Sequence, residues 1–149
     1  MAQALEQARL AYAEDEVPIG AVVIGPGPER RILGAGRNST RRDCDVSSHA
    51  ELLAIRAAAQ ELGYQRLEGC TLYTTVEPCF MCAGAILHAR LERVVFGAPD
   101  PKFGSTVSLA RVFDTVGLNH RVLQQGGLCA DEARELMQTF FRAKRKSMK

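Results

Sequence analysis

Missing from this chain is any apolar run near the ~20 residues that a bilayer-spanning helix requires. Missing too is the basic-then-apolar opening of an export signal, since acids already occur at Glu6 and Glu14. A cytoplasmic location and no membrane partner are therefore expected. Cysteine is odd in number, with five residues at 44, 70, 79, 82 and 129. In a chain without an export signal this argues against a disulfide framework and leaves metal binding or chemistry for any close pair. The lone Cys44, Cys70 and Cys129 read as small apolar fillers. No repeat, low-complexity tract or linker interrupts the sequence, so residues 1–149 read as one domain, long enough to bury a core. Acids are absent from the last eight positions, "RAKRKSMK", which hold five of the 19 basic side chains; the remainder carries 14 basic against 17 acidic. The positive excess thus sits in one tail, suited to phosphate contact and equally to a solvated, frayed end.

What is present is an alternation of helical and strand patterns. Residues 2 to about 15 carry an alanine and leucine stripe (Ala4, Leu5, Ala8, Leu10, Ala11, Ala13) that Pro18 closes. "IGAVVI" (19–24) reads as a strand covered on both faces, and the Gly/Pro-dense "GPGPER" turns it into a second strand near 31–36. Ser47 or Ser48 can cap a helix over about 49–62, with Leu52, Leu53, Ile55, Ala58 and Ala59 inside and Gly63 as its stop. "CTLYTTV" (70–76) is a strand, Pro78 suits the first turn of a helix over about 79–89, and "RVVFG" (93–97) is another strand. A mostly irregular stretch over 98–118, a strand near 120–125 and a helix from Asp131 to about Lys146 complete the chain. Helices alternating with short apolar strands predict an α/β fold, a sheet sandwiched between helix layers and parallel in its later strands.

The chemistry concentrates in two short stretches. In "EPCFMC" (77–82), Cys79 and Cys82 lie three apart at a helix start, where the helix dipole favours thiolate. Alone, the pair leaves a redox motif or an accidental spacing open. "HAE" (49–51) opens its own helix and would bring His49 to the same sheet edge as a third, neutral ligand. Two thiolates and one imidazole balance Zn²⁺ and leave a fourth position for water. Cys44, Cys70, Cys129, His88 and His120 are the candidates that could close the site as a structural one, and none has the usual ligand-pair spacing. Glu51, two positions after His49, points about 200° away on an ideal helix, an objection that weakens in a first turn. A carboxylate beside a metal-activated water, yet not a ligand, is what a proton shuttle needs; a surface glutamate favouring a helix start is the plain alternative.

His-x-Glu followed by Pro-Cys-x-x-Cys resembles the signature of the zinc nucleobase deaminases. The similarity extends through "EVPIGAVVI" (16–24), Asn38, "TLYTTVEPCFMCAGAILHARLERVVFGAPDPKFG" (71–104), "LNHRV" (118–122) and "FFR" (140–142). In that order these stretches resemble the bacterial tRNA-specific adenosine deaminases, over nearly the whole chain. The resemblance implies a three-layer α-β-α fold with a mixed five-stranded sheet. It implies a zinc-dependent hydrolase that converts the wobble adenosine of a tRNA anticodon to inosine, acting as a homodimer on the anticodon arm of an arginine tRNA, with one Zn²⁺ per subunit. By the same likeness His49, Cys79 and Cys82 hold the zinc, and Glu51 carries a proton from the bound water to the base. Asn38 would hydrogen-bond the flipped purine. Ala50, Pro78, Asp100, Lys102, Arg121, Phe140, Phe141 and Arg142 would line the substrate, by stacking and phosphate contact at the chain end. One of Phe140 and Phe141 is expected to pack inward, and the sequence does not say which. Three departures from the family stand out: Asp-Val-Ser-Ser at 45–48 in place of Asp-Pro-Thr-Ala, which loosens the lead-in to "HAE", a longer 25–32 loop, and an early first helix. The alternatives are a zinc deaminase of a free base or nucleoside (guanine, cytosine or adenosine), which shares both motifs, and a non-catalytic zinc module, which has no use for Glu51.

Overall fold

Why two distant motifs meet is answered by strand direction. In a computed structural model of residues 1–149, the elements are α1 (Ala2–Ala13), β1 (Gly20–Ile24), β2 (Ile32–Arg37), the short α2 (Thr40–Asp43), α3 (Ala50–Leu62), β3 (Thr71–Val76), α4 (Phe80–His88), β4 (Arg93–Ala98), β5 (Leu123–Gln125) and α5 (Ala130–Ser147), with one 3-10 turn at Val112–Asp114. They form one five-stranded sheet in the order β2-β1-β3-β4-β5. β1 is antiparallel to β2 and to β3, while β3–β4 and β4–β5 are parallel. β2 and β3 therefore point the same way, and the helices that follow them, α3 and α4, both begin at the carboxyl edge of the sheet. That edge is where α/β sheets collect ligands. α1 and α5 pack on one face of the sheet, α3 and α4 on the other, which gives the expected three-layer α/β sandwich. No helix is long and apolar enough to cross a membrane.

The main core lies under α3 and α4 and includes Val23, Leu67, Leu72, Ile86, Leu91 and Val94, all fully buried. The inward stripe of α3 is Ala50, Ala54 and Ala58, not the larger residues expected there; Leu52, Leu53 and Ile55 are half-buried. The reason lies in β2, where a Cβ at Gly34 would strike the backbone of Ala54 and Ala58, and one at Gly36 that of Ala50 and Ala54. Helix and strand approach so closely that only glycine against alanine fits.

The helix ends also differ from expectation. Neither Ser47 nor Ser48 caps α3; His49 is the N-cap, in extended backbone at φ −78° and ψ 149°. Likewise Cys79 is the N-cap of α4 (φ −76°, ψ 176°), which places Pro78 one residue outside the helix, not in its first turn. α1 ends before Pro18 because Asp15 turns into the left-handed region at φ 62°. The lead-in at 45–48 is not loose: Asp45 Oδ1 accepts from the amide and hydroxyl of Ser47 at 2.8 and 2.7 Å, and the Ser48 carbonyl accepts from the Ser39 amide at 3.0 Å. The C-terminal segment is helical to Ser147. Of the lone cysteines, Cys70 fills the core, Cys129 is half-buried and Cys44 is exposed; all five are free.

Gly36→Val is expected to destabilise the fold by at least about 2 kcal/mol, an overpacking cost, and to lower metal uptake because the displaced turn of α3 carries His49. Denaturant titration and zinc content check this; a variant of unchanged stability would refute the close-approach argument.

Candidate active site

His49, Cys79 and Cys82 converge although 30 to 33 residues of chain separate them. His49 Nδ1 lies 3.6 Å from Cys79 Sγ and 3.5 Å from Cys82 Sγ, and the three donor atoms all lie within 4.8 Å of one another. Bonds of about 2.3 Å to sulfur and about 2.0–2.1 Å to nitrogen, at tetrahedral angles, put nitrogen and sulfur about 3.6 Å apart. The donor set and its spacing fit zinc. No fourth His, Cys, Asp or Glu belongs to the group, and Cys44, Cys70, Cys129, His88 and His120 stay outside it.

The electrostatics favour a cation at this position. A hydrogen bond from Cys82 pulls the Cys79 thiol down to about 4, against burial and with help from His49. Cys82 is pushed far up by Cys79 and by burial, and His49 is raised chiefly by its bond to Cys79. Without a cation one sulfur ionises at the other's expense; a divalent ion would let both be thiolates.

Glu51 stands in the first turn of α3 and is 4% exposed. Because His49 is an N-cap with extended backbone, the 200° separation of an ideal helix does not apply to this pair. Burial pushes the Glu51 carboxyl up while His49 opposes it. A buried acid beside the donor group but outside it is poised to carry a proton.

The expected substrate residues are placed unequally. Asn38 is buried just past β2, where its Nδ2 donates to Glu16 Oε2 at 3.3 Å. The fully buried Glu16 also accepts from the Arg42 amide at 2.7 Å, leaving Asn38 Oδ1 as the free acceptor. Ala50 is fully buried between His49 and Glu51. Pro78 is buried too, and its carbonyl accepts from the Ser105 amide and hydroxyl, both at 3.0 Å. Asp100 and Lys102 ride a loop held against Cys79 by a bridge from Gly104. Lys102 is exposed, whereas Asp100 Oδ1 is engaged by the amides of Lys102 and Phe103. Phe140 is the inward phenylalanine, 5% exposed and edge-on to Tyr12 at 5.8 Å, which removes it from RNA contact; Phe141 is 42% exposed and Arg142 is exposed. Their end of α5 is tied toward the Asn38 side by Lys144 paired with Asp15, which also receives Arg41 at 2.6 Å. Arg121 is not brought to the group within one subunit. It precedes β5, which enters the sheet opposite Arg93, and the length of β4 separates that edge from the donors, roughly 16 Å.

Sequence reasoning missed Glu77. It is 3% exposed, and its Oε1 accepts from the amides of Thr106, Val107 and Ser108 at 3.2, 2.7 and 2.8 Å. Its Oε2 accepts from the Asp100 amide at 3.0 Å and the Ser108 hydroxyl at 2.5 Å. Burial would raise this carboxyl, but the Ser108 hydroxyl and the loop amides outweigh it and hold it low. The signal available was an acid directly after a buried strand, followed downstream by the Ser/Thr-rich "GSTVS".

The comparisons agree with this geometry. The sequence matches the family model of the MafB19-like deaminases over residues 1–145. A tRNA-specific adenosine deaminase of Agrobacterium fabrum is 45% identical over 97% of this chain and 93% of its own length. A tRNA(Ile)-lysidine synthase of Deinococcus deserti is 48% identical over 95% of this chain, which spans 26% of that longer protein. Among solved structures, one from a study of A-to-I editing by tRNA:A34 deaminases superposes with TM-score 0.86 at 43% identity, covering 91% of this chain and 96% of its own. A guanine deaminase from Nitrosomonas europaea gives 0.79 at 26%, covering 93% and 81%.

Glu77→Ala would leave several buried amides without acceptors and is expected to cost about 3 kcal/mol or more. Hydrogen exchange at residues 100–108 should quicken beyond any global change, and unaltered exchange there would show that other contacts hold the loop.

Proposed function

The chain belongs to the MafB19-like deaminases and to the tRNA-specific adenosine deaminases, and on that premise we propose that it hydrolyses the 6-amino group of the wobble adenosine of a tRNA anticodon to give inosine and ammonia. The observation that carries the proposal is a group of one imidazole and two sulfurs with a buried carboxyl beside it that is not a member. His49, Cys79 and Cys82 would hold the zinc, which when bound supplies a water activated near neutral pH.

The residues of this chain do the remainder. Glu51 takes a proton from the attacking water and delivers it to the ring nitrogen N1, then moves the remaining hydroxyl proton to the amine nitrogen, which leaves as ammonia when the C6–N bond breaks. Its burial keeps bulk water from competing for that proton and suits a group that must both accept and donate. Asn38, held by Glu16, offers Oδ1 to the edge of the flipped base. Ala50 and Pro78 wall the pocket. Lys102 and the exposed Phe141 and Arg142 meet the RNA on either side of the entering base by charge and stacking. Arg121, at the far edge, takes no part within the same subunit.

An arginine tRNA as substrate and a homodimer with one zinc per subunit belong to the same proposal. The dimer reading is supported by the exposed apolar side chains Phe80 and Met81 on α4 and Val107 and Leu109 on the loop bridged to it. Light scattering should give twice the 16.3 kDa chain mass; a monomer at working concentration would remove this part alone.

The deciding assay offers the purified protein an anticodon stem-loop bearing a wobble adenosine, and in parallel free adenosine, guanine and cytosine. Inosine is expected in the RNA alone, with Glu51→Gln lowering kcat by at least about 10²-fold while zinc content holds. Turnover of a free base with intact RNA would shift the assignment to the free-base deaminases.

A further inference from the structure

Phe103 presents an exposed ring on the loop bridged to the donor group. It is 67% exposed and lies between the exposed Lys102 and Gly104. Gly104 pairs with Cys79 across an isolated antiparallel bridge, so the ring stands one residue from the backbone facing a donor of the metal group.

The loop that carries it is clamped. The Phe103 and Lys102 amides donate to Asp100 Oδ1 at 3.2 and 3.0 Å, the Asp100 amide donates to Glu77, and the Gly104 amide donates to the Asp100 carbonyl at 2.8 Å. A Cβ at Gly104 would collide with the Glu77 carboxylate, so the loop is seated directly against that side chain. Single exposed apolar residues are ordinary on protein surfaces. An aromatic fixed on a clamped turn, with an ammonium beside it and a metal-donor group behind it, is not positioned like one of those. Aromatic face plus cation is how proteins hold unpaired nucleotides, the ring taking a base and the cation a phosphate.

Resting on the RNA reading, we propose that Phe103 is a stacking platform for an unpaired base next to the target adenosine, with Lys102 contacting the adjoining phosphate. The occupant is a nucleobase and not a second copy of this chain, because the ring is next in the chain to the residue bridged to Cys79 and is flanked by a lysine, whereas the apolar side chains that suit a subunit contact lie on α4 and farther along the loop. The position makes Phe103 a determinant of sequence context: a large, flat neighbour of the target base gains contact that a missing one cannot.

The test uses the zinc-loaded enzyme in the Glu51→Gln background, so that binding is read without turnover, against anticodon stem-loops with either a base or an abasic site on each side of the wobble adenosine. Phe103→Ala should weaken binding about 5- to 100-fold, and Phe103→Trp should keep it, with zinc content the same in both. An abasic site on one side should weaken the parent similarly yet add little to Phe103→Ala. Equal affinity of Phe103→Ala and its parent, or losses that simply add, would overturn the platform. So would a change from dimer to monomer in Phe103→Ala by light scattering, which would give the ring to a second copy. A wild-type enzyme that leaves the stem-loop unmodified and deaminates a free base overturns the RNA reading instead, while inosine formation beside an unaffected Phe103→Ala sinks only the platform.

Discussion

One imidazole nitrogen with two sulfurs 3.5 and 3.6 Å from it sets the terms for the rest of this molecule. They meet because β2 and β3 run in the same direction and hand the chain to two helices that start at the same edge. Each helix begins on a donor: His49 is the N-cap of α3 and Cys79 that of α4. An N-cap keeps its side chain at the helix end, where the positive end of the dipole also favours thiolate. Glycine in β2 against alanine in α3 brings the His49 helix close enough to the sheet for that meeting. Two adjacent sulfurs ionise at each other's expense, so the packing that brings them together favours a cation between them.

Around this group lie two further buried acids that organise the backbone. Glu16 fixes Asn38 and the start of α2, and Glu77 gathers the amides of the 100–108 loop. Each is held in a low-dielectric interior where hydrogen bonds to a charged acceptor are strong and their loss is costly. The outcome is a rigid rim: polar and aromatic groups that face outward are set before any substrate arrives, which lowers the ordering cost of binding an unpaired nucleotide. On the proposed reading floor and rim divide the task, with proton transfer assigned to Glu51 and recognition to the loops above it.

Much of this was legible in the sequence, for identifiable reasons. The donors announced themselves because metal chemistry needs fixed residue types at fixed spacing, and the order of elements along the chain followed from apolar runs alternating with helical stripes. Strand pairing and the hairpin came from Gly/Pro density at 25–30. What stayed hidden depended on approach distance or direction. The alanine face of α3 could not be seen without knowing that β2 presents glycines to it. Phe140 and Phe141 are neighbours in sequence, and only the packing on Tyr12 separates core from surface. Arg121 lies in a stretch that matches the family, yet the register of β5 against β4 carries it to the far edge. Glu77 was invisible because its partners lie 23 to 31 residues away and act through backbone amides that any residue could supply.

The central claim is a zinc ion held by three side chains, with solvent as the fourth ligand next to Glu51. Zinc quantification with X-ray absorption at the zinc edge on the purified enzyme tests it most directly. The expected result is one zinc per chain with two sulfur and two nitrogen or oxygen neighbours, one of them lost in His49→Ala, and a solvent ligand exchangeable with added anions. Four protein donors around the metal, or a metal-free protein with Cys79 and Cys82 bonded to each other, would contradict the account.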